Sequence, residues 1–524
     1  MAEKLTDPSK PAHEIIEVLE DGDAIRNDGM RLTAANKNPW YVLATIYGEQ
    51  EEDSDPLNFD EELAAKNRRA WNGWLCGGLS EKEKKERALN TELDVSELKS
   101  LSAEELEDIH KRYRARLQDD LAQLPELSEY ADFSNVFFPN FVCFERFFFE
   151  KSGVFDMSVF GGLVSFSFTY FFSIASFKAA IFSECVYLRN AKFEGYAIFD
   201  ETIFIYDADF YGAQFLRGAS FVASQFRGDA YFFPSVFYGP ANFSQSEFYQ
   251  MAYFPSVKFC QAASFYSVNF NGNTNFGSTL FSNHATFNSA KFKLTTRFAE
   301  AKFLTQVPEF HAAELYDDTV FSTRSDDLGN WPPLHGVVSL EGQDEPVKVM
   351  PAAEQKRAYN RLRLFMNKSL QIDEEQFFQH QEMRCKTKLA KWYHKPFYWL
   401  YALLSDYGNS VWRPLLWMVF VMLSGALFML WWQEAFTLLP KESSGFDWTL
   451  GLLGEDDPWA KPRQAAGWSI SNTLPFLGFG KLYYGELAKE LAWPLKVAGG
   501  VQTLLGYVLL FFFGLGLRNR FRLR

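Results

Sequence analysis

The chain has 524 residues, a formal net charge of −14 and 18% aromatic content with 55 Phe, so it has room for more than one domain. The acidic excess lies in residues 1–130, while acids and bases balance over residues 133–303. No basic stripe with interleaved aromatics marks a nucleic-acid partner.

Residues 1–38 are polar and acidic, are expected to be poorly ordered in part, and carry no signal peptide. Residues 39–130 are mixed and charged, with aromatic anchors at Trp40, Tyr41, Tyr47, Trp71 and Trp74. Ser102 and Glu105 form a capping-box pattern that opens a helix near 102–124, with Leu106, Ile109, Tyr113, Leu117, Leu121 and Leu124 on one stripe. This helix is expected to cap whatever follows, because an open sheet edge invites pairing with another chain.

From Phe133 to Phe303 aromatic residues recur with an unbroken 5-then-6 spacing. Of 32 rungs, 31 are Phe and one is Leu188. A fixed period means one unit stacked on its own copies. A helix fails this pattern: at ~3.67 residues per turn, residues five apart lie roughly 130° apart around the axis. Pro234, Pro240 and Pro255 also fall inside the repeat. An extended chain fits. Ala208, Ala219, Ala230, Ala241, Ala252, Ala263 and Ala285 sit two places before the first Phe of their units. Ser224, Ser235, Ser246, Val257, Val268, Thr279 and Ala290 sit two places before the second. Positions i−2 and i share one side of a strand, so a small and a large residue together fill a narrow tube.

The Ala-x-Phe-x-x-Ser-x-Phe pattern over about residues 131–303 resembles the pentapeptide-repeat family in its alternating five/six variant. That resemblance implies a mainly β fold, a right-handed quadrilateral β-helix of about eight coils. Its core would include Phe221, Phe226, Phe232, Phe237, Phe243 and Phe248. Some members of that family mimic DNA with an acidic rod, a role that the balanced charge of residues 133–303 argues against.

Residues 304–350 are rich in Asp, Pro and Gly and read as a cap or linker. Residues 351–395 return to helical spacing and become basic at Arg384, Lys386, Lys388, Lys391 and Lys395. The segment 396–524 holds two uncharged runs, giving spans near 411–432 and 495–517. Bases precede the first span and follow the second. By the positive-inside rule both termini and the solenoid are expected in the cytoplasm of an inner membrane, with anionic lipid headgroups as partners.

Between the spans, Trp468 to Lys481 resembles the pore loop of two-span potassium channels, which implies a candidate filter at Gly478, Phe479 and Gly480. The segment departs from that pattern at Pro475, Phe476 and Leu477, where a Thr-containing run is expected, and at Lys481, where those channels carry an acid.

The five cysteines (Cys76, Cys143, Cys185, Cys260, Cys385) lack paired spacing and fit a reducing compartment; the three inside the repeat are expected as small buried residues. There is no phosphate loop, GxSxG or HExxH motif, and the seven His are scattered without metal-ligand spacing. No catalytic, cofactor or metal site is therefore expected. The sequence points to a membrane-anchored interaction scaffold with an unidentified protein partner. The alternative is an ion-conducting or membrane-permeabilising homo-oligomer.

Overall fold

The computed structural model describes residues 10–51, 59–91, 96–321, 329–339, 346–369, 371–435, 460–477 and 492–521. The chain divides into two units, Met1–Phe365 and Met366–Arg524.

The Phe ladder folds as a β-solenoid. Each coil contributes one two- or three-residue strand to each of four parallel sheets, beginning at Ala131–Asp132, Val136–Phe138, Val142–Cys143 and Phe148–Phe149. From the first coil to Phe303 successive strands of each sheet pair 22 residues apart, as Phe226 does with Phe248. The rungs therefore stack ring on ring. Phe221 and Phe243 lie 4.6 Å apart with parallel planes, and Phe226 and Phe248 lie 4.6 Å apart. Burying a Phe contributes ~2 kcal/mol, and each ring pair adds ~0.5–1.5 kcal/mol.

The 5-then-6 spacing has a backbone cause. From Asn135 to Glu300 one residue in every eleven has positive φ, with Pro234 the single exception; there the Phe233–Pro234 peptide is cis. The left-handed residue closes the five-residue step, and the six-residue step turns without it. Non-glycine residues hold this conformation at roughly 1–2 kcal/mol each, which the flanking buried rings outweigh. Inside the tube several small hydroxyls donate to carbonyls of the coil before: Thr202 to Phe177 O and Thr279 to Phe254 O, both at 2.7 Å.

The stack runs beyond Phe303. Phe310 stacks on Phe287 and Phe321 on Phe298, both at 4.9 Å, after a single-residue insertion. The third sheet consequently has nine strands where the first and fourth have eight. Trp331 then covers Phe303 and Phe321 and meets Tyr359 of α5 (Ala352–Lys368).

At the other end residues 10–38 are folded, contrary to their polar composition. Strands β1 (Ile15–Val18), β2 (Ala24–Arg26) and β3 (Arg31–Ala34) form an antiparallel meander whose last strand pairs with Val136–Phe137. Ala24 and Leu32 bury the outward Phe137, Val159 and Ile181. The helix from Ser102 forms with its capping box, as α4 (Ala103–Leu117), but stops at a left-handed Gln118 and leaves Leu121 exposed. The open coil is covered instead by α1 (Pro39–Ala44) and α2 (Glu61–Leu75). Tyr41 packs on Phe138, and Trp71 packs on Phe133, Phe147 and Phe149. Cys76, with Ala88 of α3 (Glu81–Thr91) and Leu98, buries the outward Phe148 and Tyr170.

The second unit is helical: α6 (Ile372–Leu389), α7 (Lys395–Ser405), α8 (Trp412–Ala435), α9 (Ala460–Thr473) and α10 (Trp493–Phe521). Trp412–Trp432 (mean hydropathy 2.0) and Trp493–Arg520 (1.8) are long and apolar enough to cross a bilayer. Of the most apolar 18 residues of each, only 11% in the first and 22% in the second are buried within the protein. Leu416, Phe420, Leu423, Leu427, Leu504 and Phe511 point outward, as membrane helices do and soluble core helices do not.

Candidate functional site

The six solenoid residues Phe221, Phe226, Phe232, Phe237, Phe243 and Phe248 are at most 1% exposed and serve as core. Gly478, Phe479 and Gly480 lie outside the described residues. Among the described residues no group of His, Cys, Asp or Glu is arranged to hold a metal ion. Cys143, Cys185 and Cys260 take outward, half-buried positions rather than core slots. Burial pushes the thiols of Cys76 and Cys143 up to about 12 and that of Cys385 to about 11, which keeps them unreactive.

Two features remain that side chains build for something other than packing. One lies on the third face of the solenoid. Tyr187, Tyr231 and Tyr253 occupy the same outward position in their coils, and Tyr211 and Phe233 follow two residues after that position. Their rings meet in a chain: Tyr211–Phe233 at 5.8 Å, Phe233–Tyr253 at 6.3 Å and Tyr231–Tyr253 at 6.3 Å. Carboxylates line the same strip. The Tyr231 hydroxyl donates to Asp229 at 3.0 Å, Arg189 pairs with Asp209, and Asp207 accepts the Asp229 backbone N–H at 2.9 Å. Burial, then the hydrogen bond to Asp229, raises the Tyr231 phenol to about 12, so it stays a neutral donor.

The other lies between the two apolar helices. Helix α9 has 14 residues, about 21 Å at 1.5 Å each, too short to cross a ~30 Å core. Ala465 and Trp468 pack with Met429 and Leu495, near the end of α8 and the start of α10. Four residues later α9 is deep in the bundle. Ser469 donates to the Met422 carbonyl, and Met422 is the eleventh of the 21 residues Trp412–Trp432. Thr473 lies against Gly506, the fourteenth of the 28 residues Trp493–Arg520. Beyond Thr473 the chain continues through Leu474, which packs against Met418 and Leu509, into a single 3-10 turn at Pro475–Leu477. Helix α9 thus enters from one end of the bundle and stops at its middle.

Gln502 of α10 holds it there. Its Nε2 lies within hydrogen-bond distance of Val421 O (3.3 Å), Ser469 O (3.0 Å), Ser469 Oγ and Thr473 Oγ1 (2.8 Å), acceptors on α8 and α9 that share its two N–H donors and so join all three helices. Glycine makes the approach possible. A Cβ on Gly425 would lie 2.6 Å from the Gln502 amide, and one on Gly506 would lie 2.1 Å from Thr473 O. Small residues at polar contacts are how membrane helices come close. Gln502 Oε1, Ser471 Oγ and Asn472 Nδ2 are buried without a hydrogen-bond partner among the described residues. Polar groups at that depth are costly and mark a pathway or a specific contact.

The pore-loop resemblance spans Trp468 to Lys481, of which residues 468–477 are described, and does not include Gln502. The available signal was a lone amide inside the uncharged run Val497–Leu517. The chain matches no protein-family profile, no curated protein and no solved structure.

Proposed function

We propose that this chain is a membrane-anchored repeat protein of the pentapeptide class whose solenoid is a non-enzymatic interaction scaffold, tethered at the cytoplasmic face of a cell membrane. The observation that carries this reading is the aromatic strip Tyr211–Phe233–Tyr253–Tyr231. It puts two exposed rings, Tyr211 and Phe233, beside the half-buried Tyr231 and Tyr253, and aromatic side chains are enriched in protein contacts; the stack beneath braces each strand by its neighbours. The basic residues before α8 and the terminal Arg518 and Arg520 support the orientation. Removing residues 396–524 is expected to move the solenoid from the membrane pellet to the soluble fraction. Replacing Tyr211, Phe233 and Tyr253 together by Ser is expected to abolish in-cell crosslinking to its partner with fold and membrane attachment unchanged. Sedimentation of the truncated chain with membranes, or undiminished crosslinking, overturns the reading.

A second reading rests on α9. A half-length helix held at mid-depth between two spans is the arrangement that a pore loop needs, and backbone there is tolerated only when lined by protein or water. A conducting assembly requires several copies around one axis. Planar-bilayer recording of the purified full chain, with its mass in detergent, tests this. A silent monomer removes it.

A further inference from the structure

Helix α7 has 11 residues, about 16 Å of helix, and cannot cross a bilayer. It is nevertheless apolar on every side. Inward, Leu404 packs with Met418 and Leu509, and Tyr401 stacks on Phe512 at 5.5 Å. Outward, Phe397, Trp399, Leu400 and Leu403 are 72%, 64%, 49% and 54% exposed, and the flanking Trp392 and Trp412 more than two thirds. A helix with no polar face is not built to meet water.

Its position is fixed. Trp417 Nε1 donates to Leu403 O at 3.2 Å, and Arg413 donates to Ala402 O at 3.1 Å and Asp406 at 3.0 Å. Asn519 donates to Gly408 O at 3.0 Å, which brings α7 level with the end of α10 that carries Arg518 and Arg520. Lys391 and Lys395 begin the segment. Its only acid, Asp406, is already engaged by His380 and Arg413, and the His380 hydrogen bond is the foremost cause holding that carboxyl below its usual range. An apolar strip rimmed by uncompensated cations, level with the ends of both spans, complements one surface: the headgroup–acyl boundary of an anionic leaflet.

We propose that α7 is an interfacial anchor, with Trp399, Leu400 and Leu403 in the acyl margin and the surrounding Lys and Arg on anionic phospholipid headgroups. This rests on the reading that α8 and α10 cross the bilayer. The test uses the full chain in vesicles of equal phosphatidylcholine and phosphatidylglycerol, with p-benzoylphenylalanine at position 399, 403 or 401. On irradiation, 399 and 403 are expected to form lipid adducts, with phosphatidylglycerol favoured about threefold or more. Position 401 is expected to crosslink within the protein. Crosslinks from 399 and 403 to a second copy, or no lipid adduct, overturn the proposal; equal adducts of the two lipids overturn its anionic part. Alkaline carbonate washing separates the two levels. Chain washed out of the vesicles overturns the membrane reading itself, whereas chain retained without adducts at 399 and 403 overturns this inference alone.

Discussion

The Asn72 carboxamide oxygen accepts the Phe148 backbone N–H at 2.8 Å, and its Nδ2 donates to Arg146 O at 3.1 Å. One side chain thus makes the contacts that a preceding coil would offer to the fourth face. Asn38 does the same for the first face by donating to Asp132 O at 2.9 Å, and β3 does so for the second. Replacing Asn72 by Leu leaves a buried donor and acceptor unpaired, at ~1–3 kcal/mol each. A lower unfolding temperature and faster exchange of the Phe148 amide are expected; unchanged exchange at Phe148 would contradict this account of the cap.

Phe226 lies between Phe204 (4.7 Å) and Phe248 (4.6 Å). Phe226→Ala interrupts one of four ring columns and leaves a cavity, and is expected to cost ~3–5 kcal/mol. Denaturant unfolding of the rod measures it, and a wild-type midpoint would falsify the stacking argument.

The left-handed turn positions can be tested in both directions. Ser256 has φ 55 and an exposed side chain, so Ser256→Gly is expected to stabilise by ~0.5–1 kcal/mol, after allowing for the greater freedom of glycine in the unfolded chain. Gly212 has φ 67, and an added Cβ would lie 2.2 Å from Asn190 Oδ1, so Gly212→Ala is expected to destabilise by ~1–2 kcal/mol. Thermal melts of the pair that shift in the same direction would contradict this.

In the second unit, Gln502→Leu removes the amide that joins three helices. Interhelical hydrogen bonds of this kind are worth ~0.6–2 kcal/mol in lipid. The expected outcome is loosening of α9, read as faster quenching of Trp468 by water-soluble iodide in detergent, with α8 and α10 still helical by circular dichroism. Trp468 quenching equal to wild type would mean that α9 is held by packing alone.

Acid should loosen the N-terminal meander. A hydrogen bond from Lys37 is the largest of the influences that hold the Asp23 carboxyl at about 2, against an ordinary 3.8, with help from the Ala34 N–H and Arg31. A depressed carboxyl stabilises the fold fully above its unfolded value. That contribution is lost as pH falls from about 3.8 through about 2. Lys37→Met is expected to raise the acid midpoint followed by Trp40 and Trp71 fluorescence, and an unmoved midpoint would show that Asp23 does not control it.

The solenoid was legible because its information is repeated: each Phe is read again 22 residues on, so single departures such as Leu188 change nothing. The ends were not legible, because a cap occurs once. Asn72, Trp71 and Trp331 have no periodicity to announce them, and Phe310 and Phe321 fall out of phase by one residue. The polar-looking residues 10–38 fold because β3 finds a ready edge at Val136–Phe137, a tertiary contact that local composition does not encode. Gln502 was hidden similarly, since its meaning depends on Ser469 and Thr473, some thirty residues away.

The αL turns and paired edges also give the rod a direction in time. The cap of Trp71 and Asn72 is synthesised before the first coil, so the growing chain meets a finished template at one end only. At ~5–20 residues per second, a ribosome delivers one 22-residue coil in about 1–4 s. Every coil can settle on the one beneath it before the next emerges. Trp331 arrives last to close the column, before the apolar helices of residues 412–521 leave the ribosome.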